Sequence, residues 1–404
     1  MRLLFLAGIL SATIALTPCA HSQQAIHRLD GHRLSADKAD AIADAELKRD
    51  GVMGAQLAIF NHGRVVWTHA YGLRNAEKNL PMTPDTNIWA ASITKGVFAT
   101  WVMHLAEQHR VDLDQPIAQM LAHPLNEYEP YRQSATDLVQ DPQWQRVTPR
   151  ILLAHSSGLS NFVIGGEPDK KLRLHFPPGT RFAYSGEGLN LLQFALEEKL
   201  HEPLDTAMQR DLFTPFGMNR TGMVWHDDFA ANTALRYDAA GHYIGTTHRD
   251  RARAAGSMST TIQNLSRFIE ALLADKILQP PAKAAMFTPQ VTIRAAHQFP
   301  TFDSSISDEG PHVGLAYGLG WGLLTRTPYG SAFFKEGHGD GAENYLICFP
   351  RSGTCMILLT NSDNGELAFR PLLEQLIGDS VTPWEWESYT RAAILRNEEH
   401  SPPK

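Results

Sequence analysis

The chain has 404 residues, 43% of them hydrophobic and 20% charged, with a formal net charge of −7. That is ordinary globular composition, long enough for one large core or two closely packed ones. The acidic balance argues against nucleic acid or an anionic membrane surface as partner. After the first residues, no apolar run is long enough to span a bilayer.

Met1-Arg2 precedes an apolar run from Leu3 to Leu16, then Thr17-Pro18-Cys19-Ala20-His21-Ser22. A basic start, a short apolar stretch and small residues at Ala20 and Ser22 describe a secretory signal over 1–22. Export to the periplasm or the medium is expected, with a mature start near Gln23. Leu16-Thr17-Pro18-Cys19 faintly resembles a lipid-attachment site, but the proline before Cys19 argues against anchoring there.

The spacing predicts a helix over 35–48, capped by Ser35 and packed through its alanines and Leu47. Residues 53–60 and 64–71 read as strands joined by Asn61-His62-Gly63, an antiparallel hairpin. A helix beginning at Ser92 follows, with Ile93, Val97, Phe98, Trp101, Val102 and Leu105 as its apolar stripe. From about 115 to 253 short helices and long loops take over. Thr148-Pro149 opens one helix, and 187–200 forms another. A periodic helix is expected over 257–276, starting in a Ser/Thr cluster. Strands are expected at 317–325, 332–336, 343–349 and Thr354–Thr360, then an amphipathic helix over 365–378.

Strands at both ends of the chain around a helical middle imply an α/β (α+β) fold. One antiparallel β-sheet is flanked by helices, an all-helical subdomain packs beside it, and a cleft lies between the two. In these terms 23–390 is a single domain. Its α/β part is 30–100 with 255–380, its helical part is 101–254, and 391–404 is a flexible tail. Cys348 and Cys355 flank Phe349-Pro350-Arg351-Ser352-Gly353-Thr354, a hairpin turn that sets the two cysteines opposite one another. A cross-strand disulfide and a pair of buried thiols fit that position equally, and neither is a metal site.

Ser92 and Lys95 are three apart, so a helix places them on one face within hydrogen-bonding reach. A serine at the first turn meets unpaired backbone N–H groups, and a half-desolvated lysine can act as a neutral base for its hydroxyl. The same spacing recurs at Ser35–Lys38 and Ser401–Lys404, one a helix cap and the other in a proline-containing tail. Only Ser92 sits in an apolar helix, and an ordinary N-cap explains it as well as a nucleophile does.

Tyr184 lies in Pro177-Pro178-Gly179-Thr180-Arg181-Phe182-Ala183-Tyr184-Ser185-Gly186, a tight turn leading into a helix. Beside a lysine ammonium its phenolate would be favoured, allowing proton relay. His338-Gly339-Asp340-Gly341 offers strand N–H groups that could complete an oxyanion hole with the N–H of Ser92. There is no Gly-x-Ser-x-Gly elbow, no His-Glu-x-x-His and no phosphate-cradling loop. Ser362-Asp363-Asn364 comes in the wrong order to be a catalytic motif and reads as a strand-to-helix turn.

Taken in order, these blocks make the chain resemble the serine β-lactamase-related family. That family includes class C β-lactamases, DD-peptidases, D-aminopeptidases and family VIII esterases. The likeness covers about 35–380. It rests on Ala91-Ser92-Ile93-Thr94-Lys95, Leu152-Leu153-Ala154-His155-Ser156-Ser157-Gly158-Leu159 and the Tyr184 turn. It continues through Pro215-Phe216-Gly217-Met218, Ala255-Gly256-Ser257-Met258-Ser259-Thr260, Tyr317-Gly318-Leu319-Gly320-Trp321 and Gly337-His338-Gly339-Asp340-Gly341.

The resemblance implies Ser92 as nucleophile, Lys95 as its base and Tyr184 as second acid/base. It also implies His338 at the head of the third motif and Gly341 as the second oxyanion N–H. Two positions depart from the family pattern. Gly186 replaces the asparagine of Tyr-x-Asn, whose bond to a substrate amide is worth about 0.5–1.5 kcal/mol. Loss of a serine nucleophile costs a factor on the order of a million, so Gly186 should alter substrate choice more than competence. Asp340 stands where the third motif usually has glycine.

The expectation is therefore an exported serine hydrolase without metal or cofactor. It would act through an acyl-enzyme on D-amino-acid peptides, β-lactams or esters, most in the manner of a DD-peptidase or β-lactamase. A family VIII type carboxylesterase is the enzymatic alternative. A non-catalytic peptidoglycan-binding or scaffold protein is the alternative from another class.

Overall fold

The computed structural model describes residues 25–400. The expected signal segment 1–22, Cys19 and residues 401–404 lie outside them. The first long helix, α1 (Ala36–Arg49), is capped by Ser35 and turns Ala39, Ala43 and Leu47 inward at four-residue spacing. Next come β1 (Gly54–Asn61), β2 (Arg64–Asn75), β3 (Leu80–Pro81) and the short β4 (Ile88–Trp89), then α2 (Ile93–Glu107). Residues 101–254 are mostly short helices and loops, with α3 (Gly186–Leu200) the longest wholly within them, but they also hold a small hairpin of Arg236–Tyr237 against Tyr243–Gly245. The chain then returns through β5 (Ser259–Thr260), α4 (Ile262–Leu273), β6 (Val291–Thr292), β7 (Leu315–Tyr317), β8 (Gly322–Leu324), β9 (Ala332–Gly339), β10 (Ala342–Phe349) and β11 (Thr354–Thr360).

Nine strands form one antiparallel sheet in the order β6-β7-β8-β9-β10-β11-β1-β2-β3. Every residue of β1, β10 and β11 is buried, because helices cover both faces at the centre. Alternation along the strands sorts the core into two layers. Ala58, Phe60, Phe333, Leu346 and Ile357 face α2 and α4, whereas Leu57, Ile59, Phe334, Ile347 and Leu358 face α1 and the C-terminal helical turns. The buried amide of Gln56, in phase with Ala58 and Phe60, donates to the Thr83 and Thr86 carbonyls and accepts the Ile262 N–H. Such full satisfaction is what a buried polar side chain requires.

Several elements differ from their sequence-based expectation. The strand expected over 317–325 is a hairpin, β7 and β8, folded back at Gly318–Trp321. Gly320 adopts φ +83°, and a Cβ there would collide with the Ala99 side chain, so this turn presses directly onto α2. The helix expected from 257 starts only at Ile262. Ser259 and Thr260 instead pair with Trp89 and Ile88, and Thr261 caps the helix. The helix expected over 365–378 is three short pieces of different pitch, Asp363–Ala368, Phe369–Leu372 and Leu373–Ile377. The expected flexible tail is helical over Arg391–His400, tied down by Arg391 on Asp50 at 2.7 Å.

Among the described residues no helix is long and apolar enough to cross a membrane. Cys348 and Cys355 are cross-strand partners on β10 and β11 and are joined by a disulfide. The bond closes a short hairpin, so its effect is modest. Replacing both cysteines by alanine should lower unfolding free energy by about 2 kcal/mol in urea denaturation, with the fold retained.

Candidate active site

The β4–β5 ladder delivers the chain to a tight turn at Ala91, which adopts φ +44°, and Ser92 stands at the head of α2. A non-glycine residue in the left-handed region is strained, and such strain collects at functional turns. Thr94 helps hold this one: its hydroxyl donates to the Ala91 carbonyl and accepts the Met258 N–H at 3.1 Å. The Ser92 N–H takes no acceptor among the described residues. Lys95 is buried one turn on and donates from Nζ to Ser92 Oγ at 2.8 Å and to the Ala255 carbonyl. Burial, and then the Lys335 cation, pull Lys95 well below the ordinary lysine range, with Glu336 opposing in part. A neutral amine on a serine hydroxyl is a general base in position.

Tyr184 arrives from the turn before α3 and lines the cleft together with Ser92 and Lys95. Its ring lies 5.0 Å from Lys95 Nζ and 4.9 Å from Lys335 Nζ. The expected phenolate is not favoured. Burial and the Glu336 carboxylate raise Tyr184 well above its ordinary value, and the Ser92 hydroxyl offsets only part of this. Tyr184 is therefore a proton carrier at rest. His155 braces it, with ring centres 4.4 Å apart and Nδ1 accepting the Ser185 N–H at 3.1 Å. Burial, aided by Lys95 and Lys335, keeps that imidazole neutral.

From β9 the side chain that reaches Tyr184 is Lys335, three residues before His338. Lys335 on β9 donates to the Tyr184 hydroxyl at 3.1 Å and pairs with Glu336 at 2.5 Å. A Cβ on Gly337 would lie 2.5 Å from the Ala90 carbonyl oxygen and 3.2 Å from Ile93 N, so here the strand backbone presses against the serine turn. Strand alternation explains the shift, since Lys335 and Gly337 share a face with Phe333, and His338 is one step out of phase.

His338 lies at the cleft mouth, its Nδ1 2.7 Å from Glu366 and 2.9 Å from Glu343. Gly339 packs under the Trp89 ring. Asp340 is in the following turn, where its carbonyl accepts from Arg236 at 2.5 Å, and it does not crowd the strand. The Gly341 N–H donates to Asp363, so it is not free to be the oxyanion donor expected of it.

Gly186 leaves room that two neighbours take up. A Cβ there would fall 2.6 Å from the Phe162 ring and 3.1 Å from the Asn161 side-chain oxygen. Asn161 accepts the Gly186 N–H at 2.9 Å, and both it and Phe162 line the cleft. An amide thus stands near the missing asparagine, supplied from another loop.

The cleft has a volume of about 1030 Å³, with Ser92, Lys95 and Tyr184 in its wall. His338, Glu343 and Glu366 bring three ligand atoms within 4.8 Å of one another, close enough to share a cation. The two carboxylates raise His338 well above its ordinary value, and burial beside Glu366 raises Glu343 as well.

A serine at the head of a buried helix, bonded to a buried lysine and close to a buried phenol, is an arrangement of serine-hydrolase type. The chain belongs to the Beta-lactamase family, whose sequence pattern matches residues 39–378. Over 221 residues it is 28% identical to the esterase EstB of Burkholderia gladioli, covering 48% of this chain and 53% of EstB. It thus spans about half the length of that relative. Its fold is shared with the octameric penicillin-binding protein homologue from Pyrococcus abyssi, at TM-score 0.67 and 20% identity, covering 90% of this chain and 80% of that one. It is shared too with the D-alanine carboxypeptidase AmpC from Burkholderia cenocepacia, at TM-score 0.66 and 20% identity, covering 85% and 100%.

Sequence reasoning missed Lys335, although a Lys-Glu pair inside an apolar strand and the spelling Lys335-Glu336-Gly337 both pointed to it. It also assigned no role to His155 or Asn161. Glu336 is the counter-charge for Lys335: burial works against its carboxylate, but Lys335 and Gln298 hold it below the usual range. Glu336→Gln should cost about 3 kcal/mol in chemical denaturation, because it strands a buried ammonium. The double variant Lys335→Met/Glu336→Leu should recover most of that loss.

Proposed function

We propose that the protein is an exported serine hydrolase that works through an acyl-enzyme at Ser92. The observation that carries this reading is the 2.8 Å contact from the buried amine of Lys95 to Ser92 Oγ. Neutral Lys95 takes the hydroxyl proton as Oγ attacks the carbonyl carbon. The oxyanion is met by the Ser92 N–H and by the edge of β9 beyond Phe334, which β8 leaves without a strand partner. Tyr184 gives its proton to the departing nitrogen or oxygen and is recharged from the Lys95 ammonium. Water then cleaves the ester at Ser92 by the same path in reverse.

D-amino-acid peptides of cell-wall type and their β-lactam mimics are the leading substrate class, since Lys335-Glu336-Gly337 gives the third motif its usual lysine. A carboxylesterase for small esters is the second reading. It is favoured by Phe162 standing where the motif's asparagine would project, and by the likeness to EstB. Export rests on residues 1–22 and on the disulfide, which persists in oxidising compartments. Free thiols at Cys348 and Cys355 in protein taken from its host would count against it.

A fluorescent penicillin and a p-nitrophenyl ester separate the readings. A stable adduct points to a DD-peptidase, drug turnover to a β-lactamase, and ester turnover alone to an esterase. Ser92→Ala should lower turnover by a factor on the order of a million, and undiminished reaction would remove the hydrolase reading. Because Lys95 acts as the free amine and burial lowers its pKa, the basic group that governs kcat/KM should titrate well below the ordinary lysine range. Activity should fall only as pH drops through that lowered value.

A further inference from the structure

The loop that leads into β5 carries His248-Arg249-Asp250-Arg251-Ala252-Arg253, and Arg249, Arg251 and Arg253 line the Ser92 cleft. The Arg249 guanidinium lies 3.9 Å from the centre of the Trp89 ring, only three residues ahead of Ser92. Its Nε is buried without a hydrogen-bond partner. Burial and the neighbouring Arg236 and Arg253 cations pull it down to about 10, so three like charges converge at this wall.

The acids nearby are spent elsewhere. Asp250 is taken by His248 at 2.9 Å, Glu336 by Lys335 at 2.5 Å and Glu366 by His338 at 2.7 Å. Glu387 accepts from Tyr345 at 2.9 Å, and Arg236 is committed to the Thr246 and Asp340 carbonyls. Glu187, which feels Arg253, accepts the Val163 N–H, and burial raises its carboxyl above the ordinary range. None of Arg249, Arg251 and Arg253 has a carboxylate within ion-pair distance among the described residues.

A half-buried guanidinium flanked by two exposed ones, none with a carboxylate partner and all lining a cavity, is a receptor for an anion, and the planar fork suits a carboxylate. Tyr184, which protonates the leaving group, packs on His155 and Phe299. Arg249 packs instead on Trp89, and no hydrogen bond or ring contact joins the three arginines to Tyr184 among the described residues. We propose that Arg249, Arg251 and Arg253 form an acyl-side subsite selecting substrates whose acyl group carries a carboxylate. This rests on the serine-hydrolase reading above.

The test compares p-nitrophenyl hydrogen glutarate with p-nitrophenyl pentanoate, which share an acyl chain length and differ in the terminal charge. The wild-type ratio of kcat/KM should favour the charged ester by about tenfold or more, as a charge-assisted contact allows. Arg249→Gln and Arg253→Gln should each lower that ratio, and so should added salt. Arg253 is exposed, so its variant keeps the test open if Arg249→Gln melts early. Calorimetric binding of glutarate to the Ser92→Ala protein gives a readout without turnover, and it should vanish on adding Arg249→Gln. Turnover of the neutral ester with no preference for the charged one, and no effect of the arginine variants, overturns the subsite while leaving the hydrolase intact. If neither ester reacts, the hydrolase reading is judged by the penicillin alone and glutarate binding decides the subsite. Absence of binding overturns it.

Discussion

The chemistry proposed for this molecule depends on one amine held out of water. Lys95 is buried at the first turn of α2, its donors on Ser92 Oγ and the Ala255 carbonyl, with a second buried lysine nearby and no carboxylate of its own. Desolvation penalises the charged form of a lysine, and a neighbouring cation adds to that penalty. The fold bears this cost because the helix carrying the lysine is packed on all sides. The Trp321 ring would meet a Cβ on Gly96, Gly320 brings the β7–β8 turn against Ala99, and the β4–β5 ladder fixes the approach to Ser92. Loss of a buried tryptophan typically costs about 3–5 kcal/mol, which is the scale of restraint available here.

Two lysines near one tyrosine play different parts because one has a counter-ion and the other does not. Glu336 sits 2.5 Å from Lys335 and keeps that side of the cluster electrically matched. Lys335 in turn donates to the Tyr184 hydroxyl, while burial and the Glu336 charge keep that phenol protonated. In the proposed mechanism the outcome is a division of labour: a base beside the serine hydroxyl and an acid beside the departing group. Groups with opposed proton affinities in one cleft are how acid and base chemistry coexist at one pH.

Much of this was legible in the sequence, for identifiable reasons. The sheet and its hairpins follow from alternating apolar runs broken by glycine turns, and α2 from its 3.6-residue stripe. Ser92, Lys95 and Tyr184 stood in local motifs whose spacing survives folding. Lys335 was passed over because Gly-His-Gly-Asp-Gly is a louder string than Lys-Glu-Gly, and only strand register shows which side chain of β9 reaches Tyr184. The state of Tyr184 was misjudged because a neighbouring cation can be guessed from motif order, whereas burial cannot. The role of Asn161 beside Gly186 joins two distant loops, and no local pattern announces it. The arginine wall was passed over because three arginines on a loop look like a solvated face until the cleft closes round them.

The central claim is that the Lys95 amine is uncharged in the resting protein, and it can be observed directly. Nitrogen-labelled lysine side chains, followed by NMR across a pH titration and assigned with a Lys95→Arg variant, report the state of each Nζ. The account expects one resonance, absent from that variant, to lose its proton far below the pH at which the surface lysines lose theirs. If the Lys95 signal instead titrates together with the exposed lysines, the amine is an ammonium at neutral pH, and the proposed base is not there.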